Sequence, residues 1–246
     1  MKKCMAVFLC FVLLLGMSVL PVSDAAAASK PKLSATKVFL RPGDSVTLSV
    51  SGTKNKVTWS VENKAIATVS KKGVVKGIKA GETKVCAKVG SQTLKCTIVV
   101  ARVYSWSYKG HRYQLIDAGM TWSKAVAYCK SIGGHLATIT SASEQKSVVK
   151  ALKKQGKKNN YWLGAKKNGK GQFSWVTGEA FKYTCFAPGQ PDRSYEKCLM
   201  IYTRNNPNTG GDDSYLWNDL VNAGTFGSEP WFGLKNFGII CEWESK

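Results

Sequence analysis

The apolar residues of this chain keep one period up to about residue 100 and another beyond it, which restricts the chain to two differently built halves. From Lys32 to Val100 they alternate with polar residues, the period of a strand with one buried face. The runs Val46-Thr47-Leu48-Ser49-Val50, Val57-Thr58-Trp59-Ser60-Val61 and Cys96-Thr97-Ile98-Val99-Val100 each predict a strand. Turn sequences such as Arg41-Pro42-Gly43-Asp44 and Lys72-Gly73 separate them, and no helical period appears. Many short strands with closely spaced turns predict an all-β sandwich over residues 29–101.

Residues 102–246 read as α+β. Arg112 to Ile116 predicts a strand. Thr121 then offers an N-cap oxygen to a helix on which Trp122, Ala125, Val126, Cys129 and Ile132 share a face. Ser141-Ala142-Ser143-Glu144 has the spacing of a capping box and opens a second helix to about Gln155. Strand patterns return at Tyr161–Gly164, Phe173–Val176, Leu199–Thr203 and Phe237–Trp243.

The chain begins Met1-Lys2-Lys3, runs apolar from Met5 to Leu20 and reaches Ala25-Ala26-Ala27-Ala28. A basic start, an apolar middle and a small-residue exit predict a secretory signal peptide over residues 1–28. The mature protein is then expected outside the cell, secreted or associated with its surface, with no membrane span. Six cysteines lie beyond residue 28, and an even number in a secreted chain predicts disulfides without fixing their pairing. Cys86 and Cys96 flank Gly90-Ser91. A three-residue loop of Gly90, Ser91 and Gln92 would set them opposite one another for a cross-strand bridge; the alternative is two buried thiols.

The formal net charge is +21. Lysines are densest at Lys146, Lys150, Lys153, Lys154, Lys157, Lys158, Lys166, Lys167 and Lys170. A solvated helix face and the loop after it account for such a run, and it also predicts general affinity for anionic cell-envelope polymers or acidic glycans. No nucleic-acid motif accompanies the charge, and secretion argues against that partner. His111 and His135 are the only histidines. His135 falls in an apolar stretch and reads as a core position. Neither sits in a triad pattern, so an enzyme is not expected.

Oxygen-bearing side chains cluster at Gln190-Pro191-Asp192, at Glu196 and at Asn218-Asp219. Hard oxygens of mixed charge are what Ca²⁺ takes, and the same carboxylates and amides can meet sugar hydroxyls.

Two resemblances organise these readings. The run from Val57-Thr58-Trp59-Ser60-Val61 through Gly73-Val74-Val75-Lys76-Gly77 to Ala80-Gly81-Glu82-Thr83 resembles bacterial Ig-like domains of group 2. That family implies a spacer or adhesion module with no active site. The helix holding Cys129, Gly134-His135-Leu136-Ala137-Thr138-Ile139, Tyr161-Trp162-Leu163-Gly164, Trp175-Val176-Thr177-Gly178, Gln190-Pro191-Asp192 and Trp217-Asn218-Asp219 together resemble a C-type lectin-like domain. The chain is therefore expected to combine an all-β Ig-like sandwich with an α+β C-type lectin-like domain.

The second resemblance implies a Cys129–Cys241 disulfide. It also implies a partner for Cys198 soon after Trp217-Asn218-Asp219, but no cysteine stands there, and Cys185 is the remaining candidate. It implies a cis Pro191 and a Ca²⁺ set of Gln190, Asp192, Glu196, Asn218 and Asp219, which also bind the sugar. Gln before Asp is the order of galactose-type sites. Such sites place an aromatic ring on the sugar, here Tyr195 or Trp231, while Trp217 reads as core. Many proteins of this fold bind proteins without calcium, so the competing expectation is a calcium-independent adhesion module. Arg193 and Lys197 flank the set and oppose cation binding.

Overall fold

The computed structural model describes residues 30–204, 212–223 and 233–244. The expected signal peptide and Trp231 lie outside these residues. No helix among the described residues is long and apolar enough to cross a membrane.

The first half is built from strands: β1 (Lys32–Leu33), β2 (Lys37–Leu40), β3 (Ser45–Thr47), β4 (Val50–Ser51), β5 (Val57–Val61), β6 (Ala67–Val69), β7 (Val74–Gly77), β8 (Gly81–Val89) and β9 (Gln92–Val100). They form sheets of order β2-β9-β8-β5 and β3-β7-β6, with β1 paired to β4. Leu40, Leu48, Val75, Val85 and Ile98 fill the core between them. The predicted strand Val46–Val50 is interrupted. The ladder with β7 ends at Thr47, Leu48 still donating its N–H to Gly73 O at 2.9 Å, and Val50 begins a different ladder with β1.

The Cys86–Cys96 bridge is excluded. β8 and β9 join through a two-residue turn, Gly90-Ser91, with Val89 opposite Gln92 and Gly90 at φ +59°. That is one residue shorter than expected, and a one-residue slip moves a side chain to the other face. Cys96 pairs with Val85 and lies in the core; Cys86 pairs with Lys95 and faces outward.

The second half contains β10 (Val103–Tyr108), β11 (His111–Ile116), α1 (Trp122–Ser131), β12 (His135–Leu136), α2 (Ala142–Gln155), β13 (Asn160–Lys167), β14 (Phe173–Trp175), β15 (Cys198–Tyr202), β16 (Trp217–Leu220) and β17 (Phe237–Trp243). The sheet runs β10-β11-β17-β13-β15-β16, with β12 also on β17 and β14 on β13. Thr121 caps α1 by accepting from Lys124 N–H, and Ser141 caps α2 by accepting from Glu144 N–H. Glu144 departs from the capping-box pattern. Its carboxylate accepts from Thr140 N–H at 2.9 Å and from the Tyr113 hydroxyl at 2.7 Å, tying α2 to β11. Gly164 lets β13 pass the carbonyl of Leu136, where a Cβ would collide.

β17 is buried along its whole length and divides two cores. Phe237, Ile239 and Cys241 face one with Trp162 and Cys129. Ile240 faces the other with Leu115, Leu163 and Trp217. Cys129 and Cys241 are buried together in the first, as the resemblance implied, but as free thiols rather than the disulfide expected of them.

The Cys185–Cys198 bridge is a second correction. Phe186 bridges Trp217 on one edge of β16, while Cys198 pairs with Leu220 on the other. The offset along β16 alone is roughly 10 Å, and bridged cysteines need Cα atoms within about 7 Å. Backbone bonds hold this loop instead: Trp217 N–H donates to Cys185 O at 2.7 Å, and Ala187 N–H to Trp217 O at 2.9 Å. Trp217 is fully buried and packs edge-on against Trp175, Tyr183 and Phe186.

Two substitutions separate these thiols. Cys129→Ala is expected to lower unfolding free energy by about 2–4 kcal/mol, bridged or not, because it empties a closed core site. Cys86→Ser is expected to change it by less than about 0.5 kcal/mol. Urea titration of each variant checks both.

Candidate functional site

The clamp on Trp217 fixes where the oxygen-bearing loop begins. Gln190 N–H donates back to Ala187 O at 3.0 Å, the Gln190–Pro191 peptide is cis as expected, and Asp192 follows. Glu196 precedes β15, and Asp219 lies opposite Leu199 across the β15–β16 ladder. One oxygen from each of Asp192, Glu196 and Asp219 falls within 4.8 Å of the others. Glu196 and Asp219 are buried, and Asp192 is exposed.

Three like charges held this close, two of them away from water, oppose one another's ionisation. Burial, reinforced by Asp219 and Asp192, pushes Glu196 up to about 7. Burial also raises Asp219, although Lys167 pulls it the other way.

Lys167 is the residue that the sequence reading placed wrongly. It was grouped with a solvated basic run, yet it is only 8% exposed. Its ammonium pairs with Asp219 Oδ2 and donates to Arg193 O at 3.0 Å. The signal was present in β13: Leu163 and Ala165 face the core, and Lys167 continues that alternating series. Arg193 adds a second cation, with Nε 3.4 Å from Asp192 Oδ2.

Asn218 is not gathered with the carboxylates. Successive side chains of a strand face opposite ways. Asn218 pairs with Met200 and donates from Nδ2 to the Tyr202 hydroxyl at 2.9 Å, on the Met200 face, whereas Asp219 pairs with Leu199 on the other. Gln190 Oε1, Asn218 Oδ1 and Asp219 Oδ1 are buried with no hydrogen-bond partner among the described residues. Buried acceptors are seldom left unpaired. Hard carboxylate and amide oxygens of this kind fit Ca²⁺ in chemistry, with Lys167 as the competing cation.

A ring that meets a sugar must be exposed. Tyr195 is 55% exposed and accepts a hydrogen bond from Arg193 at 2.8 Å. A cleft of about 500 Å³ adjoins it, lined in part by Lys167, Lys170, Asp192, Arg193 and Lys197.

Glu196 supplies a pH test. Its ordinary value is 4.5 and its folded value about 7, so the fold favours the protonated form. Stability from that preference is complete at low pH and is lost as pH rises through this interval. In chelator, wild type is expected to lose about 2–3 kcal/mol relative to Glu196→Gln between its two ends; urea titrations at each end measure it. Lys167→Met would leave Asp219 buried without its counter-charge. In chelator it is expected to cost about 3 kcal/mol, and added calcium is expected to raise the Tm of this variant more than that of wild type in thermal scans.

Comparison with known proteins gives the geometry its relatives. The lectin C-type domain model matches residues 118–219, and the bacterial Ig-like domain (group 2) model matches residues 29–100. The perlucin-like protein of Mytilus galloprovincialis is 33% identical over 132 residues, covering 52% of this chain and 80% of that protein. Perlucin of Haliotis laevigata is 34% identical over 102 residues, covering 40% of this chain and 61% of that protein. A solved Ca²⁺-independent C-type lectin, SPL-2 from Saxidomus purpuratus, is 25% identical with a TM-score of 0.45, covering 56% of this chain and 90% of that one. The chain thus spans most of the first relative but less than two thirds of the second. On the mussel relative and the matched models, this chain belongs to the C-type lectin domain family and carries a group 2 bacterial Ig-like domain ahead of its lectin domain.

Proposed function

We propose that this chain is a secreted, calcium-dependent carbohydrate-binding protein with a galactose-type site, carried on the Ig-like domain as a spacer. The observation that carries the reading is the meeting of Asp192, Glu196 and Asp219 with the buried Gln190 Oε1, which has no partner among the described residues, and with the exposed ring of Tyr195. Bound there, Ca²⁺ supplies a concentrated positive charge that can hold two sugar hydroxyls as well as the protein oxygens. The residues then divide the work of orientation. The Gln190 amide donates to a hydroxyl oxygen, and the carboxylate of Asp192 accepts a hydroxyl hydrogen. Exchanging acid and amide reverses which side donates, which is why the order Gln190 then Asp192 selects a galactose-type pair of hydroxyls. Asn218 stays outside this set, on the other face of β16 with its Nδ2 on the Tyr202 hydroxyl. Lys170, Arg193 and Lys197 at the neighbouring cleft favour glycans that also carry acidic groups.

A second reading rests on Lys167. An ammonium already paired with Asp219 partly neutralises the acids, and a site so neutralised would recognise a protein or an anionic cell-envelope polymer without calcium.

Glycan-array binding with calcium and with chelator separates the two readings. Galactose-terminated glycans are expected to bind in calcium, to be released by chelator, and to bind about 100-fold more weakly to Asp219→Ala, a change of about 2.7 kcal/mol. Binding that survives both chelator and substitution favours the second reading. The double change Gln190→Glu with Asp192→Asn is expected to move preference from galactose toward mannose on the same array.

A further inference from the structure

Both histidines of the chain lie in one place, away from the lectin site. His111 opens β11, His135 opens β12, Glu242 lies in β17 between them, and Glu244 follows. The ladders bring them together: Tyr113 and His135 each pair with Glu242. His111 Nδ1 lies 2.6 Å from Glu242 Oε1 and 3.1 Å from Glu244 Oε2. His135 Nε2 lies 3.2 Å from Glu244 Oε1. His135 is therefore not the core position expected of it. It is 22% exposed and paired with an acid.

The hydrogen-bond inventory of this cluster does not close with neutral imidazoles. One Nδ1–H on His111 cannot point along the lines to two different carboxylates. His135 Nδ1 lies 3.0 Å from Leu136 O, where it must donate, so neutral His135 turns the lone pair of Nε2 toward a carboxylate. Either the imidazoles carry extra protons or a cation lies among these atoms.

The surroundings favour a metal cation. One atom from each of His111, Glu242 and Glu244 falls within 4.8 Å of the others. Metal-binding groups are characteristically fixed by a hydrogen bond on their far side. Here the other oxygen of Glu242 accepts from Thr138 N–H at 2.8 Å, and Leu136 O fixes the tautomer of His135. A tetrahedral ion with bonds near 2.0–2.1 Å sets its ligand atoms roughly 3.4 Å apart; the His111–Glu244 spacing of 3.1 Å is near this, and the His111–Glu242 spacing of 2.6 Å would have to open to admit the ion. Imidazole beside carboxylate suits a transition metal better than calcium or magnesium.

We propose that His111, Glu242 and Glu244 form a binding site for a divalent transition-metal ion of the zinc class, with His135 as the residue that positions Glu244. Three protein ligands leave a fourth position for water. The ion would fasten the chain after β17 to the starts of β11 and β12.

The test is calorimetric titration of the mature protein with Zn²⁺, with calcium in large excess to saturate the lectin site. One zinc per chain is expected. His111→Ala and Glu244→Gln should each weaken binding by more than tenfold, and His135→Ala by about tenfold. Asp219→Asn should leave it unchanged. Cobalt in place of zinc should give the visible absorption of a four-coordinate ion, and His111→Ala should abolish it. Glu244 is exposed, so Glu244→Gln keeps the test valid should His111→Ala fail to fold. The proposal is overturned if zinc does not bind, if the His111 and Glu244 variants bind it as tightly as wild type, or if Asp219→Asn alone removes it.

Discussion

The lectin half depends on the burial of β17. This strand lies inside the sheet, antiparallel to β11 on one edge and parallel to β13 on the other. Each large apolar side chain it buries is worth about 1.5–3 kcal/mol against exposure. Because its residues alternate between two cores, it fixes α1 through Cys129 and Cys241, and it sets the register of β13 through Ile239 opposite Trp162. β13 in turn carries β15 and β16, so Glu196 and Asp219 are positioned through the strand beside β17. The same burial makes Glu242 an unusual resident. Its carboxylate is 1% exposed and is kept there by Thr138 N–H and His111.

Electrostatic balance differs between the two acidic clusters. At the Asp192–Glu196–Asp219 cluster a lysine from the sheet itself supplies the counter-charge, and two amide oxygens have no partner among the described residues. At the β17 cluster the counter-charges are imidazoles, whose protonation is conditional. For His111 burial works against the charged form, and the bond to Glu242 with the charges of Glu244 and Glu242 outweighs it, so the pKa is raised. The first cluster suits a hard cation and hydroxyl ligands; the second suits a borderline metal.

Much of the fold was legible. Both helices, their N-caps and strands β5, β11, β15 and β17 follow from apolar period and cap chemistry, which are local. The meeting of Asp192, Glu196 and Asp219 was legible only through a family resemblance, since spacing alone does not bring residue 192 to residue 219. β10 was missed although Tyr104, Trp106 and Tyr108 alternate with serines and Lys109-Gly110, both at positive φ, turns the run into β11.

What the sequence by itself determined is therefore the class of each half and the kinds of atoms in the lectin site. What only the tertiary structure decided is which atoms face one another. A two-residue turn rather than three sent Cys86 and Cys96 to opposite faces. The ladder offset on β16 separated Cys185 from Cys198, and alternation parted Asn218 from Asp219. The inward phase of β13 buried Lys167 against Asp219, and two ladders on β17 drew His111 and His135 to the same acids. Register and facing are set by backbone pairing between segments far apart in the chain, and a single residue of slip reverses them, so local composition does not encode them.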